Sequence, residues 1–374
     1  MSANDVAHMI VAAPNEQHSG SNDVMLEKVA GTLYVKRFEV PVGPPSAKLA
    51  AAVIAPRNYG FSASAKWKKN PRSLTLKWRI HNNVESASGS KSGQARSLTG
   101  AKADQYLQNM LRKAIPKLPI CRATGTVILL PGWGEPKETL LGYALAFASH
   151  GYRVVLVDLR GQGKSSGKYV TYGLIEHRDI AQLISALYAR KLVVGKLALV
   201  GVSEGATIAL DTAAADSRVD AVVAIAPFVN LRTAIRGVAN VFMPNMSKAV
   251  SKQKLTHALA IADARVGMNL AEANPISRVG NIRAPVLYVA GGKDHIAPAA
   301  DVRKLAAKTP HARFVELPRY PHPALYFGVS KVAPPALAAL AQALGPSTDP
   351  SCLQTPPPKD ASYDFKFAFK LSKR

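Results

Sequence analysis

The chain has 374 residues, 48% of them hydrophobic, and carries 48 Lys and Arg against 24 Asp and Glu, a net charge of +24. That length accommodates one large α/β domain with additions or two domains, and the apolar content excludes an intrinsically disordered chain. No run approaches the roughly 18 apolar residues of a transmembrane helix, and the first twenty residues lack the basic and then apolar regions of a secretory signal, so a cytoplasmic location is expected.

Residues 1–30 read as a polar leader, and 33–42 and 50–55 as strands separated by the breaker Gly43-Pro44-Pro45. Residues 74–80 alternate apolar and polar strictly, which predicts a half-buried strand. Residues 81–103, rich in Ser, Gly, Asn and Lys, read as a flexible insertion, and 104–115 as a short helix. The window 61–122 holds 13 basic residues against Glu85 and Asp104. Such a field attracts nucleic acid or anionic surfaces without specifying either; a solvated, self-repelling insertion is the plainer account. The two cysteines, Cys121 and Cys352, are expected as free thiols of a reducing compartment, the alternative being a disulfide that ties the tail to the segment before the core. Their spacing suits no metal site.

From residue 126 the rhythm becomes strand, turn, helix. Residues 126–130 form a continuous apolar strand, 140–150 a helix, 152–157 a strand, and 174–191 a helix with Glu176 and Asp179 in its first turns, where the helix dipole favours acids. Strands follow at 197–202, 221–225 and 286–290. This alternation predicts an α/β architecture, a doubly wound and mostly parallel sheet. Residues 228–275 are helix-like and too long for a plain connection, and they read as a small helical cap over the sheet end. Residues 363–371 alternate again, with aromatic residues on one face, and are expected to add a strand beside 74–80. The organisation expected is an N-terminal extension (1–122), a core (123–345) and a C-terminal tail with its strand (346–374).

The chemistry gathers around Gly201-Val202-Ser203-Glu204-Gly205, which follows an apolar strand and opens an Ala-rich helix. In that setting G-x-S-x-G is a nucleophile elbow: the serine sits on a strained turn, and glycines flank it because a Cβ at either place would collide with the neighbouring strand or helix. A serine hydroxyl needs an imidazole to take its proton and a carboxylate to hold the imidazole. Of nine histidines, His322 lies best, in the Pro-bounded segment Arg319-Tyr320-Pro321-His322-Pro323 after a strand. His311 precedes that strand, His295 adjoins the candidate acid, and His150 and His177 lie at helices before the elbow. Asp294 follows a buried strand through Gly291-Gly292-Lys293 and is the candidate acid. Backbone N–H groups of Glu204 and Trp133 are the candidate oxyanion donors, with the Trp133 ring expected to line the substrate pocket.

Taken in order, Pro131-Gly132-Trp133-Gly134, Asp158-Leu159-Arg160-Gly161-Gln162-Gly163-Lys164-Ser165, Gly201–Gly205, Gly291–Pro298 and His322 resemble the motifs of α/β-hydrolase-fold serine hydrolases. Thr171-Tyr172-Gly173 with Glu176 and Asp179 resembles the branch of bacterial esterases and serine aminopeptidase-like enzymes. The resemblance implies hydrolysis of a small ester or acyl substrate without metal or organic cofactor, and a structural role for the Asp158 turn. Peptidase, thioesterase and acyltransferase activities share the same three residues and stay open. Dehalogenase-like relatives carry Asp where this chain has Ser203, which disfavours that chemistry. A basic nucleic-acid- or anionic-lipid-binding protein on the same fold is the alternative of another class. Two positions depart from the family pattern: Pro131 stands where His is usual, and Glu204, where an aromatic, Met or Gln is common, is expected either to perturb His322 or to point into solvent.

Overall fold

A computed structural model describes residues 2–14, 27, 30–31, 33–68, 73–81, 120–345 and 363–370. The elements begin with α1 (Ala3–Val11), β1 (Tyr34–Val42), β2 (Ala47–Ile54), β3 (Gly60–Lys68), β4 (Ser73–His81), β5 (Gly125–Leu130) and α2 (Leu141–Ala148). Next come β6 (Tyr152–Val157), α3 (Glu176–Ala189), β7 (Leu197–Val202), α4 (Glu204–Ala215), β8 (Ala221–Ile225), α5 (Leu231–Phe242), α6 (Pro244–Ala249) and α7 (Lys252–Val266). The last are β9 (Val286–Gly291), α8 (Ala299–Lys308), β10 (Ala312–Leu317), α9 (His322–Phe327), α10 (Val329–Leu344) and β11 (Tyr363–Lys370).

An eight-stranded sheet runs β1-β2-β6-β5-β7-β8-β9-β10. From β6 to β10 every neighbouring pair is parallel, and β1 and β2 extend the edge antiparallel. All positions of β5, β7, β8 and β9 are buried. Such strands read as unbroken apolar runs because helices cover both faces of a parallel sheet. This is the doubly wound sheet the alternation predicts. Loops at the carboxyl ends of β5, β7 and β9, with the segment after β10, are then close enough to converge.

Two expectations need correction. The polar leader contains α1, which Ser2 and Asp5 start with a capping box: Asp5 N–H donates to Ser2 Oγ at 3.1 Å, and Ser2 N–H to the Asp5 carboxylate at 2.7 Å. Val6, Ala7, Ile10 and Val11 are buried from α1, which packs on α7. Their helical spacing makes one face of a nominally polar segment apolar. The free-thiol expectation fails as well: Cys121 is disulfide-bonded. The only other cysteine in the sequence, Cys352, lies outside the described residues. A tail that turns back toward the N-terminal extension makes such a bond reachable.

The expected pairing of the tail with residues 74–80 is present: β11 runs antiparallel to β4, with Phe365 opposite Trp78. The pair joins β3 in a separate three-stranded sheet rather than extending the large one. That sheet lies against α2 and α10, where Trp78 packs on Gly142 and, edge to face at 5.9 Å, on Phe61. The expected helix at 104–115 and the insertion beyond His81 lie outside the described residues. Among the described residues no helix is long and apolar enough to cross a membrane.

Candidate active site

Ser203 lies between the last residue of β7 and the first of α4 with φ 55° and ψ −117°. This is strained backbone for a residue with a Cβ. The strain holds because the crossing is too tight for anything larger than glycine on either side. A Cβ on Gly201 would lie 2.1 Å from the Gly205 carbonyl oxygen, and one on Gly205 2.1 Å from that of Leu130 in β5. Strand and helix thus fix where the Ser203 hydroxyl emerges.

His322 is the first residue of α9, and its Nε2 lies 2.9 Å from Ser203 Oγ. Its Nδ1 lies 2.6 Å from Oδ2 of Asp294, on the turn after β9. The other Asp294 oxygen accepts from the Ile296 and Ala297 N–H groups, both at 2.8 Å. These two backbone donors lock the orientation of the carboxylate. With Nδ1–H given to Asp294, Nε2 is left as an acceptor for the Ser203 proton. The three side chains proposed from sequence therefore stand in one hydrogen-bonded line. His150 and His177 engage backbone carbonyls of their own helical turns and take no part.

Trp133 lies in the loop after β5, and its ring borders a cavity of about 400 Å³ that also reaches Ser203 and Glu204. The cavity is mainly apolar: α1 contributes Val6, Met9 and Ile10, and α5 contributes Leu231 and Val238. Phe228, residues of α5 and α6, Val250 just before α7 and Leu255 in its first turn line the same cavity. Arg236 and Lys248 add positive charge to the lining, in which Glu204 supplies the only carboxyl among the described residues.

Glu204 neither points into solvent nor touches His322. It is 1% exposed, and its Oε2 accepts from Gln162 Nε2 at 2.8 Å while Oε1 has no hydrogen-bond partner among the described residues. Burial, reinforced by the charge of Glu176, pushes its pKa up to about 8, so the carboxyl is protonated at neutral pH. The other amide atom of Gln162, Oε1, accepts from Gly134 N–H at 2.6 Å. Gln162 thereby ties the loop after β5 to the start of α4, the two segments that carry the candidate oxyanion donors. Sequence reasoning passed over this residue because it assigned the Asp158 turn a structural role alone. Asp158 does hold that turn, accepting from Lys137 N–H and Lys137 Nζ at 2.7 Å each and from Lys164 N–H at 3.0 Å.

Glu176 and Asp179 do more than complement a dipole. Glu176 accepts from Thr171 N–H, Thr171 Oγ1 and Gly173 N–H, and Asp179 forms a two-pronged pair with Arg160, both bonds 2.7 Å. The turn they hold presents Tyr172, whose hydroxyl donates to the Ile10 carbonyl at 2.5 Å and so docks α1. Among the described residues no group of three or more His, Cys, Asp or Glu is gathered as a metal site requires.

Residues 122–269 match the family model described as serine aminopeptidase, S33. An uncharacterized protein of Bacillus subtilis (strain 168), YqkD, is 28% identical over 191 residues, or 49% of this chain. The chain spans 59% of the length of that curated relative. Among solved structures, the 2,6-dihydroxy-pseudo-oxynicotine hydrolase superposes with a TM-score of 0.50 at 14% identity, over 84% of this chain and 70% of that one. An esterase of Pyrococcus furiosus gives 0.47 at 16% identity, over 77% and 94%.

Proposed function

From the premise that this chain is an α/β-hydrolase-fold hydrolase, we propose that it cleaves carboxylic esters through an acyl-serine intermediate. The observation that carries the reading is the Ser203–His322–Asp294 line opening on an apolar cavity. Ser203 Oγ attacks the carbonyl carbon while its proton passes to His322 Nε2, and Asp294 holds the resulting imidazolium. The C=O π pair moves onto oxygen, which faces the N–H groups of Trp133 and Glu204. Collapse expels the alcohol, which takes the proton from His322; water, deprotonated by the same imidazole, then releases the acid.

Ester cleavage is preferred over aminopeptidase action because a free amino terminus needs an anionic anchor. The two acids of the capping segment are engaged away from the cavity: Asp263 accepts from Leu270 N–H, and Glu272 from Asn269 Nδ2. The charges that line the cavity are cationic, and Glu204 is neutral at pH 7. The pocket suits an apolar acyl group.

Ser203→Ala tests this directly. Hydrolysis of p-nitrophenyl butyrate should fall by roughly 10⁴-fold or more, and fluorophosphonate labelling should vanish. Turnover that survives the substitution, or wild-type labelling mapped to another serine, would overturn the assignment. Faster cleavage of an aminoacyl amide than of any ester would move the reading to the peptidase side.

A further inference from the structure

Tyr326 is the side chain at this site that neither the elbow nor the three-residue line accounts for. It stands four residues after His322 in α9, so the two side chains share one helix face. Their rings meet edge to face with centroids 5.9 Å apart. The helix is pinned just before it, where Tyr143 Oη donates to the Leu325 carbonyl at 2.5 Å.

Two contacts define where the Tyr326 hydroxyl sits. It lies beside the Ser203 side chain, whose neighbourhood draws the phenol's pKa down. It also presses on the loop after β5, since a Cβ on Gly132 would lie 1.8 Å from Tyr326 Oη. The hydroxyl thus lies between the attacking oxygen and the loop that carries one candidate oxyanion donor. That loop has few donors to spare: Pro131 has no N–H, and Gly134 N–H is committed to Gln162.

Ser203 gives its proton to His322 Nε2, so toward the neighbouring phenol its Oγ is left only as an acceptor. Burial, and after it the charge of Glu135, hold the phenol well above its ordinary pKa against the lowering effect of Ser203, so it keeps its proton throughout the working range.

Building on the serine reading above, we propose that Tyr326 is a further catalytic residue, whose hydroxyl, held against the loop at Gly132, donates to the substrate oxygen in the transition state. As the bond from Oγ to the carbonyl carbon forms, negative charge leaves Oγ for the former carbonyl oxygen beside Gly132. The phenol follows it by rotation of its O–H alone and stays protonated, and the serine proton still goes to His322. The transition state thereby gains a third donor, from a side chain, alongside the two backbone groups.

Tyr326→Phe keeps the ring and removes only the hydroxyl, and a thermal melt verifies that the variant folds. With p-nitrophenyl butyrate, kcat should fall roughly 10²- to 10³-fold, the scale of losing one oxyanion donor, with KM within about twofold. The acid limb of the kcat/KM profile, set by His322, should stay in place, and phosphonylation of Ser203 by a fluorophosphonate should slow in parallel. Wild-type kcat and labelling rate in Tyr326→Phe would overturn the proposal, as would a loss accompanied by a shifted acid limb, which marks a residue that only positions His322. Labelling of Ser203→Ala at the wild-type rate would instead refute the serine reading on which the proposal stands.

Discussion

Beside the proposed nucleophile, Glu204 keeps one carboxyl oxygen on Gln162 while the other has no partner among the described residues, and its pKa is raised from 4.5 to about 8. Below pH 4.5 folded and unfolded chains both hold the proton; from there to about pH 8 only the folded chain does, so unfolding releases it. Stability from this group is therefore present at low pH and declines as pH rises toward 8, a change on the order of a few kcal/mol. Urea denaturation at pH 5, 7 and 9 should show that decline in the wild type and a flatter profile in Glu204→Gln. Activity should follow the same group: above about pH 8 an ionised Glu204 sits next to the developing oxyanion, so wild-type kcat should drop on the alkaline side while Glu204→Gln holds. Identical alkaline limbs would disprove the effect. The line of Ser203, Asp294 and His322 was legible because each stands in a local pattern of glycine, proline and strand end. Gln162 and Tyr326 were less so. Tyr326 has a signal, an aromatic hydroxyl one helical turn after the histidine, but it gains meaning only when the loop at Gly132 is known to lie against it.

At the scale of elements, the parallel strands were readable because burial on both faces leaves an unbroken apolar run, as in β5, β7 and β9. β3 was missed although Phe61, Ala63, Ala65 and Trp67 alternate with Ser and Lys; small residues make that period faint. The helix α1 hid in a polar composition, since only four of its nine residues are buried. It also forms part of the pocket wall, through Val6, Met9 and Ile10. Ile10→Ala should lower kcat/KM for an octanoyl ester about tenfold, the cost of roughly 1.5 kcal/mol of lost apolar contact. The acetyl ester, too short to need that wall, should change less than twofold. Equal losses on both esters would mean that α1 supports the fold without contacting the acyl chain.

Over the whole molecule, the fold class and the pairing of the two chain ends followed from periodicity, whereas the state of the cysteines did not. Composition cannot report that β11 returns to β4, and this long-range return is what makes a bond at Cys121 accessible. Cys121→Ser, or reduction of the wild type, should cost about 2–5 kcal/mol of folding stability, seen as a lower melting temperature without reductant. An unchanged melt would argue that the bond constrains nothing the unfolded chain would otherwise explore. The docking of α1 has a practical corollary. Because α1 walls the cavity through Val6, Met9 and Ile10 and is tethered through Ile10 to Tyr172, an affinity tag fused just ahead of residue 3 would add bulk beside that wall. Any preparation tagged there is best compared with a cleaved one before its kinetics are interpreted.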